Sequence, residues 1–101
     1  MNITQLEKSV ERFAKKLQSE GFATKCRTFR VGSAYNASRF GGSKVHLYVS
    51  KDNYRYQCTF VAGGWWSGER NTFFSNSWTE MKQQASKAIA DDFECYLRRQ
   101  P

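Results

Sequence analysis

The chain has 101 residues, with 16 Lys and Arg against 9 Asp and Glu, one His, three Cys and one Pro. Its 40% apolar and 16% aromatic content is too rich in bulky side chains for a disordered tail, and no apolar run approaches the ~20 residues of a membrane helix. There is no repeat or low-complexity tract, and residues 1–13 read as neither signal nor transit peptide, so the expectation is one soluble cytoplasmic domain over residues 1–101.

Thr4 and Glu7 have the spacing of a capping box, and Leu6, Val10, Phe13, Ala14 and Leu17 recur at helical intervals; together they predict a helix over residues 5–20. Gly21 follows the last periodic residue, where a left-handed C-cap closes a helix, and Phe22 stands where the accompanying apolar contact falls. Residues 22–31 alternate as a strand. Neither of its faces is purely apolar, which predicts a bulge near Thr28. Residues 32–43 are rich in Gly and Ser and read as a loop.

Residues 44–50 give the clearest strand, with Val45, Leu47 and Val49 on one side and Lys44, His46, Tyr48 and Ser50 on the other. Lys51-Asp52-Asn53 has turn chemistry. Residues 54–61 form the partner strand, with Arg55, Gln57 and Thr59 opposite Tyr54, Tyr56, Cys58 and Phe60. A second Gly-rich loop, carrying Trp65 and Trp66, leads to a short fourth strand at 72–75. Ser77 and Glu80 then form a second capping box. Trp78, Met81, Ala85, Ala88, Ile89, Phe93, Tyr96 and Leu97 trace a helical stripe to about Arg99.

Two amphipathic helices each need apolar surface to cover, and the strands offer one such face. The expected fold class is α+β: a two-layer sandwich in the order α-β-β-β-(β)-α, with an antiparallel sheet and both helices on one face. The uncovered face then displays Lys44, His46, Tyr48, Arg55 and Gln57, joined by Lys25 and Arg27 if the first strand keeps register. Arg39 and the Trp65-Trp66 pair rim it.

The positive charge is concentrated on the segment that builds this face. Residues 21–60 hold Lys25, Arg27, Arg30, Arg39, Lys44, Lys51 and Arg55 against Asp52 alone, a net +6, while residues 61–101 are balanced. Such a field attracts polyanions or acidic protein surfaces. Lys and Arg neutralise phosphates, and aromatic faces stack on unpaired bases for ~1–3 kcal/mol each. A basic sheet with a ring in it suits single strands or RNA better than a duplex groove. Each residue also has an ordinary role: Tyr48 has high strand propensity, His46 reads as a solvated strand residue, and one of the two tryptophans reads as a plug at the core edge.

The order α-β-β-β-α resembles the layout of the double-stranded RNA-binding domain, whose second helix opens on a lysine cluster set against phosphates. Here that helix begins Trp78-Thr79-Glu80-Met81-Lys82, with only Lys82 and later Lys87 basic, and the family's Gly-Pro-x-His loop signature is absent. The resemblance is one of layout.

Two partner classes follow. The first is nucleic acid, held by the sheet face and the 32–43 loop. The second is an acidic protein groove, docked by an inhibitor or adaptor of the kind mobile genetic elements use against host defence or nucleic-acid enzymes; Trp65, Trp66, Tyr35 and Phe40 would be its anchors. No membrane partner is expected. Catalysis is not expected either, because His46 has no partner signalled in the sequence and no nucleophile or phosphate-loop motif is present. No metal or cofactor is expected: Cys26, Cys58 and Cys95 are far apart, no CxxC or HxxxH pair exists, and with no export signal the thiols read as reduced. Cys26 and Cys58 read as strand-packing residues.

Overall fold

Helix α1 runs from Ile3 to Ser19 in the computed structural model, which describes residues 2–30, 43–62 and 69–100. It starts two residues before the predicted boundary. The cap is Asn2, whose Oδ1 accepts the Gln5 N–H at 2.8 Å while Gln5 Oε1 accepts the Asn2 N–H at 3.1 Å. Asn is among the best N-cap residues, so the box forms around Asn2 and Gln5 instead of Thr4 and Glu7. The earlier start adds Ile3 to the side that packs on the core. The C-terminus closes as the sequence predicts: Gly21 has φ +97°, Phe22 N–H reaches Leu17 O at 3.1 Å, and Gly21 N–H reaches Gln18 O at 3.0 Å. This pair of bonds is a Schellman motif.

Four strands follow: β1 (Ala23–Phe29), β2 (Lys44–Lys51), β3 (Tyr54–Val61) and β4 (Thr72–Phe74), before helix α2 (Trp78–Arg98). They lie in the order β1-β2-β3-β4. β1 pairs antiparallel with β2 without interruption from Ala23↔Ser50 to Phe29↔Lys44, so the bulge predicted near Thr28 does not form. The polar residues on the inner side of β1 are satisfied from α1 instead. Thr28 Oγ1 donates to the Glu7 carboxylate, and Gln18 Nε2 donates to Thr24 Oγ1 at 2.6 Å. β2 and β3 form a hairpin closed by Asp52 and Asn53, with Asp52 at φ 54°.

β4 pairs with β3 in parallel, Phe60 opposite Phe73. The sheet is therefore mixed, and the expectation of an antiparallel sheet holds for three strands of the four. Parallel alignment puts Phe73 on the covered face, 5.6 Å from the Phe60 ring. It also sets the start of β4 beside Thr59, upstream of the end of β3. The fourth strand has no counterpart in the α-β-β-β-α layout.

Both helices pack on the same face, α1 over β1 and β2, and α2 over β3 and β4. Leu6, Val10, Phe13 and Leu17 meet Val45, Leu47, Val49, Cys58 and Phe60 from the sheet and Met81, Ala85 and Ile89 from α2, in one continuous core. The Ser77 cap is relayed. Its Oγ accepts the Glu80 N–H at 3.4 Å, but the return bond passes through Ser75, which accepts the Ser77 N–H at 3.1 Å and donates to Glu80 Oε2 at 3.0 Å.

One end of the core is closed by rings. Phe93 meets Phe22 at 5.2 Å and Tyr54 at 4.9 Å, and Tyr96 stacks on Phe93 at 5.9 Å. Tyr54 donates its hydroxyl to Asp92 at 2.7 Å; burial first, and that carboxylate second, push its phenol well above the ordinary range. No helix among the described residues is long and apolar enough to cross a membrane.

Two measurements check this packing. Gly21→Ala forces a β-carbon into the left-handed region and places it 3.3 Å from Lys51 Nζ; denaturant unfolding will show a loss of about 1–2 kcal/mol. All three cysteines are free, with Cys58 buried and Cys95 exposed, and burial pushes the Cys58 thiol up to about 12. In a disulfide-exchange assay Cys95 will react in the native state, and Cys58 only after unfolding.

Candidate nucleic-acid interface

Strand alternation decides which side chains reach the uncovered face. Since Val45, Leu47 and Val49 point to the helices, Lys44, His46 and Tyr48 point away. The register extends the rows across neighbouring strands: Lys25, Tyr48 and Gln57 lie abreast, and so do Arg27, His46 and Thr59. Lys25, Arg27, Lys44, His46, Tyr48, Arg55 and Gln57 thus share one face, with Phe29 beside Lys44 at its edge. Arg39, Trp65 and Trp66 lie outside the described residues, as do Tyr35, Phe40 and all of the 32–43 loop except Ser43.

The face divides into a closed half and an open half. In the closed half the chain returning toward β4 lays Glu69 on the sheet. Its carboxylate accepts from Lys44 Nζ, from His46 Nε2 at 2.6 Å and from Thr59 Oγ1 at 3.2 Å. His46 is only 9% exposed, so the expectation of a solvated imidazole is overturned. Glu69 covers it from above, and the Phe29 ring packs 4.7 Å away. The other ring nitrogen, Nδ1, lies within hydrogen-bond distance of Tyr48 Oη, at 3.2 Å. Arg27 lies over the Phe29 ring at 4.8 Å and Lys44 at 5.7 Å. Burial alone would raise the Glu69 pKa. The Lys44 hydrogen bond and the charges of His46 and Lys44 outweigh it and hold the carboxyl below its ordinary value.

In the open half, Lys25, Tyr48, Arg55, Gln57, Arg70 and Asn71 border a shallow hollow of about 810 Å³, to which Asp92 of α2, engaged by the Tyr54 hydroxyl, adds one acid. Lys25, Arg55 and Arg70 are exposed, and among the described residues no carboxylate comes within ion-pair distance of any of them. Arg55 is held by its own turn, Nη1 donating to the carbonyls of Asp52 at 2.6 Å and Tyr54 at 2.8 Å. Arg70 is presented by Asn71, which adopts φ 53°, a left-handed conformation that Asn tolerates better than most residues. Asn71 Nδ2 donates to Gln57 O at 2.9 Å, and Thr59 N–H donates to Asn71 O at 3.0 Å.

Sequence reasoning missed Glu69 and Arg70. Both sit in a Gly-rich stretch that reads as a loop, and their position follows from the parallel pairing of β4. The one available signal is that Glu69 is the only acid between Asp52 and Glu80.

No family model matches the chain, and comparison with curated proteins and with solved structures gives no match.

Glu69→Gln removes the charge while keeping the shape. It will destabilise the fold by about 1–2 kcal/mol at neutral pH. Because the folded carboxyl lies below its ordinary value of 4.5, this contribution is complete above that pH and disappears as pH falls through the folded pKa. Urea melts of both proteins at neutral pH and at successively lower pH will show the two curves converging in acid.

Proposed function

We propose that this protein is a small, non-enzymatic nucleic-acid-binding module that takes single-stranded nucleic acid across the open face of its sheet. The observation that carries the reading is the hollow bordered by Lys25, Arg55 and Arg70 around Tyr48 and Gln57. Three cations with no ion-pair partner among the described residues offer sites for consecutive phosphates. Tyr48 supplies a ring, and Gln57 and Asn71 supply amide groups for base edges or sugar hydroxyls. A sheet face is open and shallow, which suits an unpaired strand better than the ridged surface of a duplex. Arg27 extends the positive surface beyond the hollow. The free thiols at Cys26, Cys58 and Cys95 suit a reducing, cytoplasmic setting.

Fluorescence anisotropy with labelled single-stranded DNA, single-stranded RNA and duplex RNA will show micromolar or tighter binding to the single strands. Log affinity will fall linearly with log salt. Lys25→Gln, Arg55→Gln and Arg70→Gln combined will reduce that slope by about 2, at ~0.7 per phosphate contact on a single strand. An absence of binding at low salt, where charge attraction is least screened, would overturn the reading and direct the basic face to an acidic protein groove, to be sought by pull-down after nuclease treatment.

A further inference from the structure

On the opposite side of the sheet, between the C-terminal halves of α1 and α2, lies a groove of about 380 Å³. Phe13, Leu17, Phe22, Ile89, Phe93 and Leu97 form its apolar walls. Leu97 is 53% exposed, although it belongs to the apolar stripe of α2. The volume falls within the range of small-molecule sites, which pair apolar walls with a few polar groups.

One polar group stands out. Lys51 is the last residue of β2 and shares the inward phase of Val45, Leu47 and Val49, so it enters the groove from the sheet. Its ammonium lies 5.5 Å from the Phe22 ring centroid and 5.7 Å from that of Phe93. Lys51 is partly buried, and among the described residues no carboxylate lies within ion-pair distance of it. Two ring faces offset part of the cost of withdrawing the charge from water. They offer the ammonium hydrogens no oxygen acceptor among the described residues, and a lysine has three to offer. An apolar residue would fill the same corner without that cost.

The rest of the rim narrows the ligand. Lys16 adds a second cation, while Glu20 and Glu94 stand at the mouth, and Glu94 is engaged by Arg98 at 2.5 Å. Two acids at the mouth disfavour a multiply charged head such as a phosphate monoester. The apolar walls disfavour a small hydrophilic anion. We infer that this groove binds a small apolar monocarboxylate, its hydrocarbon part lying between α1 and α2 and its carboxylate on Lys51 Nζ. The site is on the helical face, so the inference stands independently of nucleic-acid binding.

Decanoate is the probe, with decanol as the uncharged control, titrated into the full chain below the micellar concentration and followed by amide chemical shifts. The expected result is saturable movement of Phe22, Lys51, Phe93 and Leu97 with decanoate, and at least tenfold weaker binding of decanol. Lys51→Gln will weaken decanoate at least tenfold and leave decanol unchanged, Lys51→Arg will retain decanoate, and Ala90→Trp, which fills the groove, will abolish both. Dispersed spectra of the variants will verify their fold. No saturable shift, equal affinity for acid and alcohol in the wild-type chain, or decanoate binding undiminished in a folded Lys51→Gln protein would each overturn the inference.

Discussion

The Glu69 carboxylate rests on the outer face of the sheet among Lys44, His46 and Thr59, and the character of that face depends on it. A sheet with both helices on one side leaves a second side to water. On this chain that side carries cations on three adjacent strands. Without an acid among them, the Lys44 ammonium would have no countercharge and the largely buried His46 Nε2 no acceptor among the described residues. Glu69 supplies one countercharge and three hydrogen-bond partners at once. It concentrates order in one half of the face and leaves the other half cationic and open.

The parallel strand is what brings that residue to the sheet. β4 is too short to be held by its backbone bonds alone. Phe73 anchors it beside Phe60 on the inner side, and Asn71 ties it to the Gln57 carbonyl on the outer side. The returning chain is thus fixed from both faces of the sheet, which is why Arg70, between Glu69 and Asn71, has a defined place at the hollow.

Much of this architecture is legible in the residues. The alternation of Val45, Leu47 and Val49 with Lys44, His46 and Tyr48 states which side of β2 is wet. Gly21 followed by Phe22 states where α1 ends. Lys25 and Arg27 reach the outer face because β1 keeps an unbroken register. The rest depends on contacts between residues distant in sequence. Thr28 looks misplaced on an inner face until Glu7 is seen to accept its hydroxyl. His46 looks exposed because nothing nearby in the chain announces that Glu69 will cover it. Lys51 reads as part of a turn, and only the tertiary fold sets it against Phe22 and Phe93. Local pattern specifies elements and faces; the countercharges and lids come from elsewhere in the chain.

The unequal lengths of the connections also set an order of assembly. β2 and β3 close through two turn residues, Asp52 and Asn53, so their pairing costs little chain entropy and can form early. β4 pairs over three residues with partners further away in sequence, a less local closure of the kind that forms later. What docks last by this logic is also what opens first. By this argument the segment bearing Glu69 and Arg70 opens more readily than the β2–β3 hairpin. The Glu69 segment can lift from the outer face and return while α1, α2 and the β2–β3 hairpin stay folded, so the surface chemistry of that face answers to conditions that leave the core unchanged.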